Sequence, residues 1–347
     1  MFPKRTLLLL VAAAVLTLAC LCCPANLISV GNTPVAAPSK LPKVPPTATP
    51  APTQDTTQET LVCAQDLEHL LGQSESDTQS GPGLDLNREY TLVTYAVNGD
   101  AITDPVYGSV PNNLTGYQQD TAAQGKIWDF FTGVVPATQR TMVTNFLLYT
   151  DGTIGSLGAV EQADDPHNWM FEMDMIDAGN LADLSTTVIH EFAHLLTLNA
   201  SQVTTDMPVF NNPDDQEIYA QEAAACPNYF TFEGCTKADS YLNAFFNRFW
   251  PDIYAEWQAI DAETDQDLLD QKLSRFYQEY ASQFVSEYAA TSPSEDIAES
   301  FMYFIFVPRP SGAALSDQKI LFFYDYSELV TLRTQILSNL CTYAVNQ

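Results

Sequence analysis

Residues 188–196, VIHEFAHLL, constrain the chain more than any other stretch. Val188, Ile189, Phe192, Ala193, Leu195 and Leu196 are apolar, so a helix through them is buried on most of its faces. The same run carries two histidines and a glutamate. Burying ionisable groups without partners costs roughly 2–7 kcal/mol for a polar group and more for a charge, so a partner is required. His190 and His194 stand four apart and project from one helix face, about one turn from each other. Two imidazoles in that arrangement can bind one Zn²⁺ at about 2.0–2.1 Å each. Glu191 lies beside the first, where a carboxylate can take a proton from water. These are two of only four histidines. Of the others, His69 has no motif around it, and His167 in DDPHNW reads as a surface imidazole on a loop.

The elements around the motif have a recognisable order. EYTLVTYAV (89–97) alternates as a strand does, a helix is expected near 118–132, and TMVTNFLLYTDG (141–152) reads as a strand ending in an Asp-Gly turn. GSLGAV and WMFEMDM (169–175) read as two more strands, the last strictly alternating and a candidate edge for an extended peptide to pair with. Asn180 or Asp183 can cap the motif helix, which runs to about Leu198. Beyond it the chain reads as almost wholly helical. Leu269, Leu273, Phe276, Tyr280 and Phe284 form one apolar stripe, and Leu329, Leu332, Ile336 and Leu340 another; both read as core. DAETDQDLLD (261–270) has the acidity of a calcium loop, but Gln266 stands where Gly is needed and Lys272 where Glu is needed. It reads as a solvated helix start.

The ends of the chain differ in kind from its middle. Lys4 and Arg5 precede an apolar stretch from Leu7 to Ala19, the pattern of an export signal. LTLAC puts Cys20 at the site of a lipoprotein cysteine, with Thr17 where Leu is usual; Cys22 and Cys23 lengthen the apolar run towards the lower edge of what spans a bilayer. Residues 1–23 are thus expected to be an export signal, ending in a lipid anchor or an uncleaved membrane anchor. Residues 24–57, rich in Pro, Thr and Ala and without an aromatic side chain, are expected to be a disordered tether. Residues 58–347 are expected to fold as one unit at the cell surface or outside the cell, with membrane attachment through the N-terminus only. Net charge is −29, from 14 basic and 43 acidic side chains. Nucleic acid is therefore excluded as a partner, because phosphate binding needs a cationic surface. Four cysteines fall in the folded part, an even number that suggests disulfides in an exported chain. Cys226 with Cys235 closes a short loop, and Cys63 with Cys341 would join the start of the domain to its end.

A catalytic zinc usually takes three protein ligands and leaves one position for water. A third histidine six residues past the second, with Gly three past it, is one known solution; here those positions are Ala200 and Thr197. The candidates lie instead in YAATSPSEDIAESF (288–301). Glu295 and Glu299 are i,i+4 on an expected helix, so one can reach a metal while the other hydrogen-bonds a ligating histidine. A rival reading needs no metal: Ser292-Pro293-Ser294-Glu295 has the form of a capping box, with Ser as N-cap and Glu at N3.

HEFAH followed far downstream by Y-A-x-x-x-x-x-E-x-x-A-E resembles the gluzincin arrangement, specifically the peptidase domain of anthrax lethal factor and related bacterial zinc-binding metallopeptidases. The resemblance covers the motif helix and residues 288–301, and the rest only by element order. It implies that Glu295 is the third zinc ligand, that Glu299 supports the site, and that Tyr288 points at the water and the oxyanion. The implied fold is α+β and zincin-like, a small mixed sheet packed on the HExxH helix, followed by a mainly helical C-terminal half. The long gap between His194 and Glu295 is then an inserted helical region, about 200–285. The implied activity is zinc-assisted hydrolysis of a protein or peptide substrate, with Glu191 as general base. The alternative is a cell-surface binding module keeping a structural or inactive zinc site. Glu191 argues against it, because such a site has no use for that carboxylate and would fill its fourth position with protein. A metal hydrolase acting on other bonds is a third reading of the motif.

Overall fold

Alternating β-branched and aromatic residues give β1 (Tyr90–Asn98), which turns through Gly99-Asp100 into β2 (Ala101–Tyr107). Gly99 has φ +63°, the left-handed backbone that a two-residue hairpin demands at its first position. In the computed structural model, which describes Leu71, Leu86 and residues 88–152 and 157–345, these strands belong to a five-stranded sheet of order β2-β1-β3-β5-β4. The other members are β3 (Val143–Thr150), β4 (Gly158–Gln162) and β5 (Trp169–Asp174). Only the β3–β5 pair is parallel. The expected signal (1–23), the tether (24–57) and Cys63 lie outside the described residues.

Helix α1 (Thr121–Val134) lies against the sheet through an aromatic stack. Phe131 is parallel to Phe171 at 4.1 Å between ring centroids, and Trp128 meets Phe146 at 5.1 Å. Each such side chain contributes about 1.5–3 kcal/mol by burial. The motif helix α2 (Leu181–Leu198) is buried on every side from Ala182 onward. Asn180 caps its start by accepting from the Ala182 N–H. Asn199 closes its end by donating to the carbonyls of Leu195 and Leu196. Strand β4 reaches α2 closely because residue 158 is glycine: a Cβ there would stand 2.7 Å from Thr187 Cγ2.

After α2 come α3 (Gln216–Ala225), α4 (Tyr241–Phe249), α5 (Tyr254–Asp261), α6 (Gln266–Tyr280), α7 (Pro293–Phe306), α8 (Leu315–Phe322) and α9 (Ser327–Val345). The fold is thus a mixed α+β one with a helical C-terminal half. Helix α7 packs on α2, with Phe301 against Phe192. Helix α9 returns to α1, where Phe130 meets Tyr343 and Asn339 donates to the Val134 carbonyl. Among the described residues no helix is long and apolar enough to cross a membrane.

Two expectations need correcting. WMFEMDM forms β5, but β5 lies between β3 and β4, so among the described residues β4 is the outermost strand on that side. Alternation reports which face a side chain takes and says nothing about which strands flank it. The expected helix near 118–132 is two elements, a short turn over Thr115–Gln119 and then α1, split at Asp120, which caps α1 by accepting from the Ala123 N–H. The region 200–285 is mostly helical and also carries a short pair of strands, β6 (Val203–Thr205) and β7 (Gly234–Thr236). Cys226 and Cys235 are disulfide-bonded there, as expected. Cys341 is also disulfide-bonded. The 261–270 stretch is a helix start, with Asp265 capping α6 and Glu263 paired to Lys272.

Candidate metal centre

Helical spacing puts His190 and His194 on one face of α2, and α7 crosses that face with its first turn. His190 Nε2, His194 Nε2 and Glu295 Oε2 form a triangle with sides of 3.1, 3.0 and 3.3 Å. Ligands of a tetrahedral ion bound at about 2.0–2.1 Å stand about 3.3–3.4 Å apart, so the three donors have the spacing that one ion needs. Both histidines are buried, and Glu295 is largely so.

The hydrogen bonds around the triangle decide its protonation. His190 Nδ1 lies 2.8 Å from Glu299 Oε1, and a carboxylate can only accept, so Nδ1 carries the proton. In a neutral imidazole the Nε2 lone pair then faces the Glu295 carboxylate and the other histidine. Two ring nitrogens thus meet one carboxylate oxygen, an arrangement that a proton or a metal ion between them would hold together. Burial opposes charging of His190, but hydrogen bonds to Glu295 and Glu299 outweigh it and hold the imidazole well above its ordinary range. His194 is raised in the same way against its burial, chiefly by the Glu295 charge. Burial alone would raise Glu295, yet the two histidines hold it far below the usual carboxylate range. His194 Nδ1 is buried with no hydrogen-bond partner.

The sequence left open whether Glu295 caps its helix or faces the histidines. It does both, with different atoms. Its backbone N–H donates to Ser292 Oγ at 3.0 Å, the first half of a capping box. Its side chain does not complete the box and turns to the histidines instead. Glu299 lies one turn further on, bridging His190 and Ser286, whose hydroxyl donates to Oε2 at 2.6 Å. Glu191 is buried beside the site, and burial raises its carboxyl above the usual range despite the lowering influence of both histidines. The Tyr288 ring lies 5.7 Å from the His190 ring. Over half of Tyr288 is exposed, while the charge of Glu295 holds its phenol well above the ordinary range. The structure therefore brings the six residues singled out from the sequence close together around the histidine pair.

Two further groups went unread. Ser286 had no motif to mark it. Glu233, on the disulfide-closed loop, is raised by burial and interacts electrostatically with His194 and Glu295. His167, by contrast, is exposed and paired with Asp165. A second group of carboxylates, Asp151, Asp174 and Asp177, offers ligand atoms within 4.8 Å of one another. Asp174 there anchors a turn, accepting from the N–H groups of Asp151 and Ile176. Burial pushes it up to about 7 and Asp177 up to about 6. His190, His194 and Glu295 thus form a buried group that could hold a metal ion, and no protein-family model, curated protein or solved structure matches the chain.

Proposed function

We propose that the chain is a zinc-dependent peptidase of zincin-like fold, exported and held to a membrane by its N-terminus. The observation carrying this reading is the convergence of His190, His194 and Glu295 at 3.0–3.3 Å, with the Glu191 carboxylate buried beside them. Two imidazoles and one carboxylate are the ligand set of a catalytic zinc with an open fourth position. Bound zinc would supply a Lewis acid for a carbonyl oxygen and for the attacking water. Glu191, its affinity for protons raised by burial, accepts a proton from that water and passes it to the leaving amine. Tyr288, a phenol kept protonated by its acidic neighbours, donates a hydrogen bond to the developing oxyanion. Glu299 holds His190 in the tautomer that presents Nε2 to the metal. Strand β4, at the sheet edge and packed on α2, supports an extended peptide as substrate, paired through its backbone.

The test is zinc content and hydrolysis of unfolded protein by the intact chain beside His190→Ala, Glu295→Ala and Glu191→Gln. Wild type and Glu191→Gln are expected to hold about one zinc each, and the other two to lose it. Wild type alone should cleave. Zinc retention without cleavage of protein, ester or amide substrates would favour a cell-surface binding module, and no zinc in any reconstituted variant would overturn the site.

A further inference from the structure

Asp296 follows the proposed ligand Glu295 and points away from the histidines. The two side chains leave the first turn of α7 about 100° apart, one towards the histidines and one into the core. Asp296 Oδ2 stands 2.6 Å from Lys319 Nζ and accepts from Trp250 Nε1 at 2.8 Å. Ser300 Oγ, one turn on, reaches Asp296 Oδ1 at 3.5 Å. Both charged side chains are fully buried. The Lys319 ammonium also sits 3.9 Å from the centre of the Phe284 ring and 5.9 Å from that of Trp250. Two separate elements thus converge on one carboxylate, Trp250 closing α4 and Lys319 on α8, and Phe284, after α6, covers the ammonium of that lysine.

A fully buried ion pair rarely repays its desolvation in stability when compared with apolar side chains of similar size; its effect is sought in register instead. The place where register matters here is the start of α7, where the backbone N–H groups have no helical partners. A small rotation of that turn would carry Glu295 Oε2 away from two nitrogens it meets at 3.0 and 3.3 Å. The geometry points to the Asp296–Lys319–Trp250 cluster as the clamp that aims Glu295 at the metal position. The inserted region between His194 and Glu295 then has a role in the site, because it supplies Trp250 and Phe284. Asp296 and Lys319 act through Glu295 and are positioning residues. This assignment rests on the proposed metal site for its effect on zinc.

The test replaces the pair by a neutral one, Asp296→Asn with Lys319→Met, in the intact chain. No charge is stranded, and Asn can still accept from Trp250. Ile336→Ala, a buried change on α9, is the control for general loss of packing. Zinc affinity by chelator competition should weaken about 10–100-fold in the neutral pair, the range for lost outer contacts of a ligand, and stay near wild type in Ile336→Ala. The second readout needs no metal. The ring-nitrogen NMR shifts of His190 and His194 in the metal-free protein report their contact with Glu295, and Glu295→Gln provides the reference for its loss. The neutral pair should move those shifts towards the reference. Wild-type zinc affinity together with wild-type shifts would overturn the clamp. If wild type itself binds no zinc, the metal reading falls, and the nitrogen shifts alone decide whether the clamp aims Glu295.

Discussion

Glu295 and Asp296 are neighbours on one helix turn and yet enter opposite kinds of site. Asp296 meets a cation supplied by the chain, Lys319, in a pocket closed to solvent. Glu295 meets two imidazole nitrogens and, among the described residues, no permanent cation. One cluster is electrically complete as folded; the other needs a proton or a metal to be so. Burial alone therefore does not distinguish scaffold from function, since both clusters are buried. The source of the balancing charge does.

The largest expected effect comes from unbalancing the complete cluster. Asp296→Ala strands a buried ammonium and should cost about 3–5 kcal/mol in urea unfolding. Glu295→Ala should cost the metal-free protein much less. Equal losses would erase the distinction drawn above. Glu191→Gln comes next, lowering kcat/KM for an unfolded protein substrate by about 10²–10⁴-fold with zinc content unchanged. A mutant that keeps wild-type turnover would remove Glu191 from the chemistry. Glu299→Gln should weaken zinc about 10–100-fold, because the His190 ring loses a charged acceptor. A variant with wild-type affinity would reduce Glu299 to packing.

The smallest effect concerns Asp177, a carboxylate with neither lysine nor proposed metal. Burial, aided by the charges of Asp151 and Asp183, raises it to about 6 from an ordinary 3.8. Between those values the folded state binds more protons than the unfolded one, so stability falls as pH rises. The melting temperature of the metal-free protein should drop from pH 4.5 to pH 7, and Asp177→Asn should flatten that slope by a few degrees. An identical slope in the variant would show that Asp177 does not titrate there.

What was legible in the sequence followed from local geometry. The i,i+4 histidines had to share a face once the run was helical, and the three-residue spacing from Ser292 to Glu295 fixed a cap. The cap and the proposed ligand role are not rivals, because they use different atoms: the backbone N–H of Glu295 meets Ser292 and its carboxylate faces the histidines. Strand β2 had its own signal in Gly99-Asp100, a two-residue hairpin loop with Gly first, but Pro105 within the strand hides it. The proline is tolerated because β2 is an edge strand, with Asp104 at φ 51° and a register shift opposite it. Asp296 could not be read at all. Its partners lie 46 residues before it, at Trp250, and on α8 after it. No spacing rule connects such positions; only the packed helices do.

The ligands of the proposed centre are separated by 101 residues between His194 and Glu295. Closing a loop of that size costs about 5 kcal/mol of chain entropy in the cross-link model. At ~5–20 residues per second, synthesis would deliver the two histidines roughly 5–20 s before Glu295. In the proposed reading, the two histidines alone would bind metal weakly, and tight binding would wait until α7 has brought Glu295 to them. Metal capture would then be the last event of folding, and the time at which zinc becomes resistant to a chelator would mark the moment α7 has closed on the motif helix.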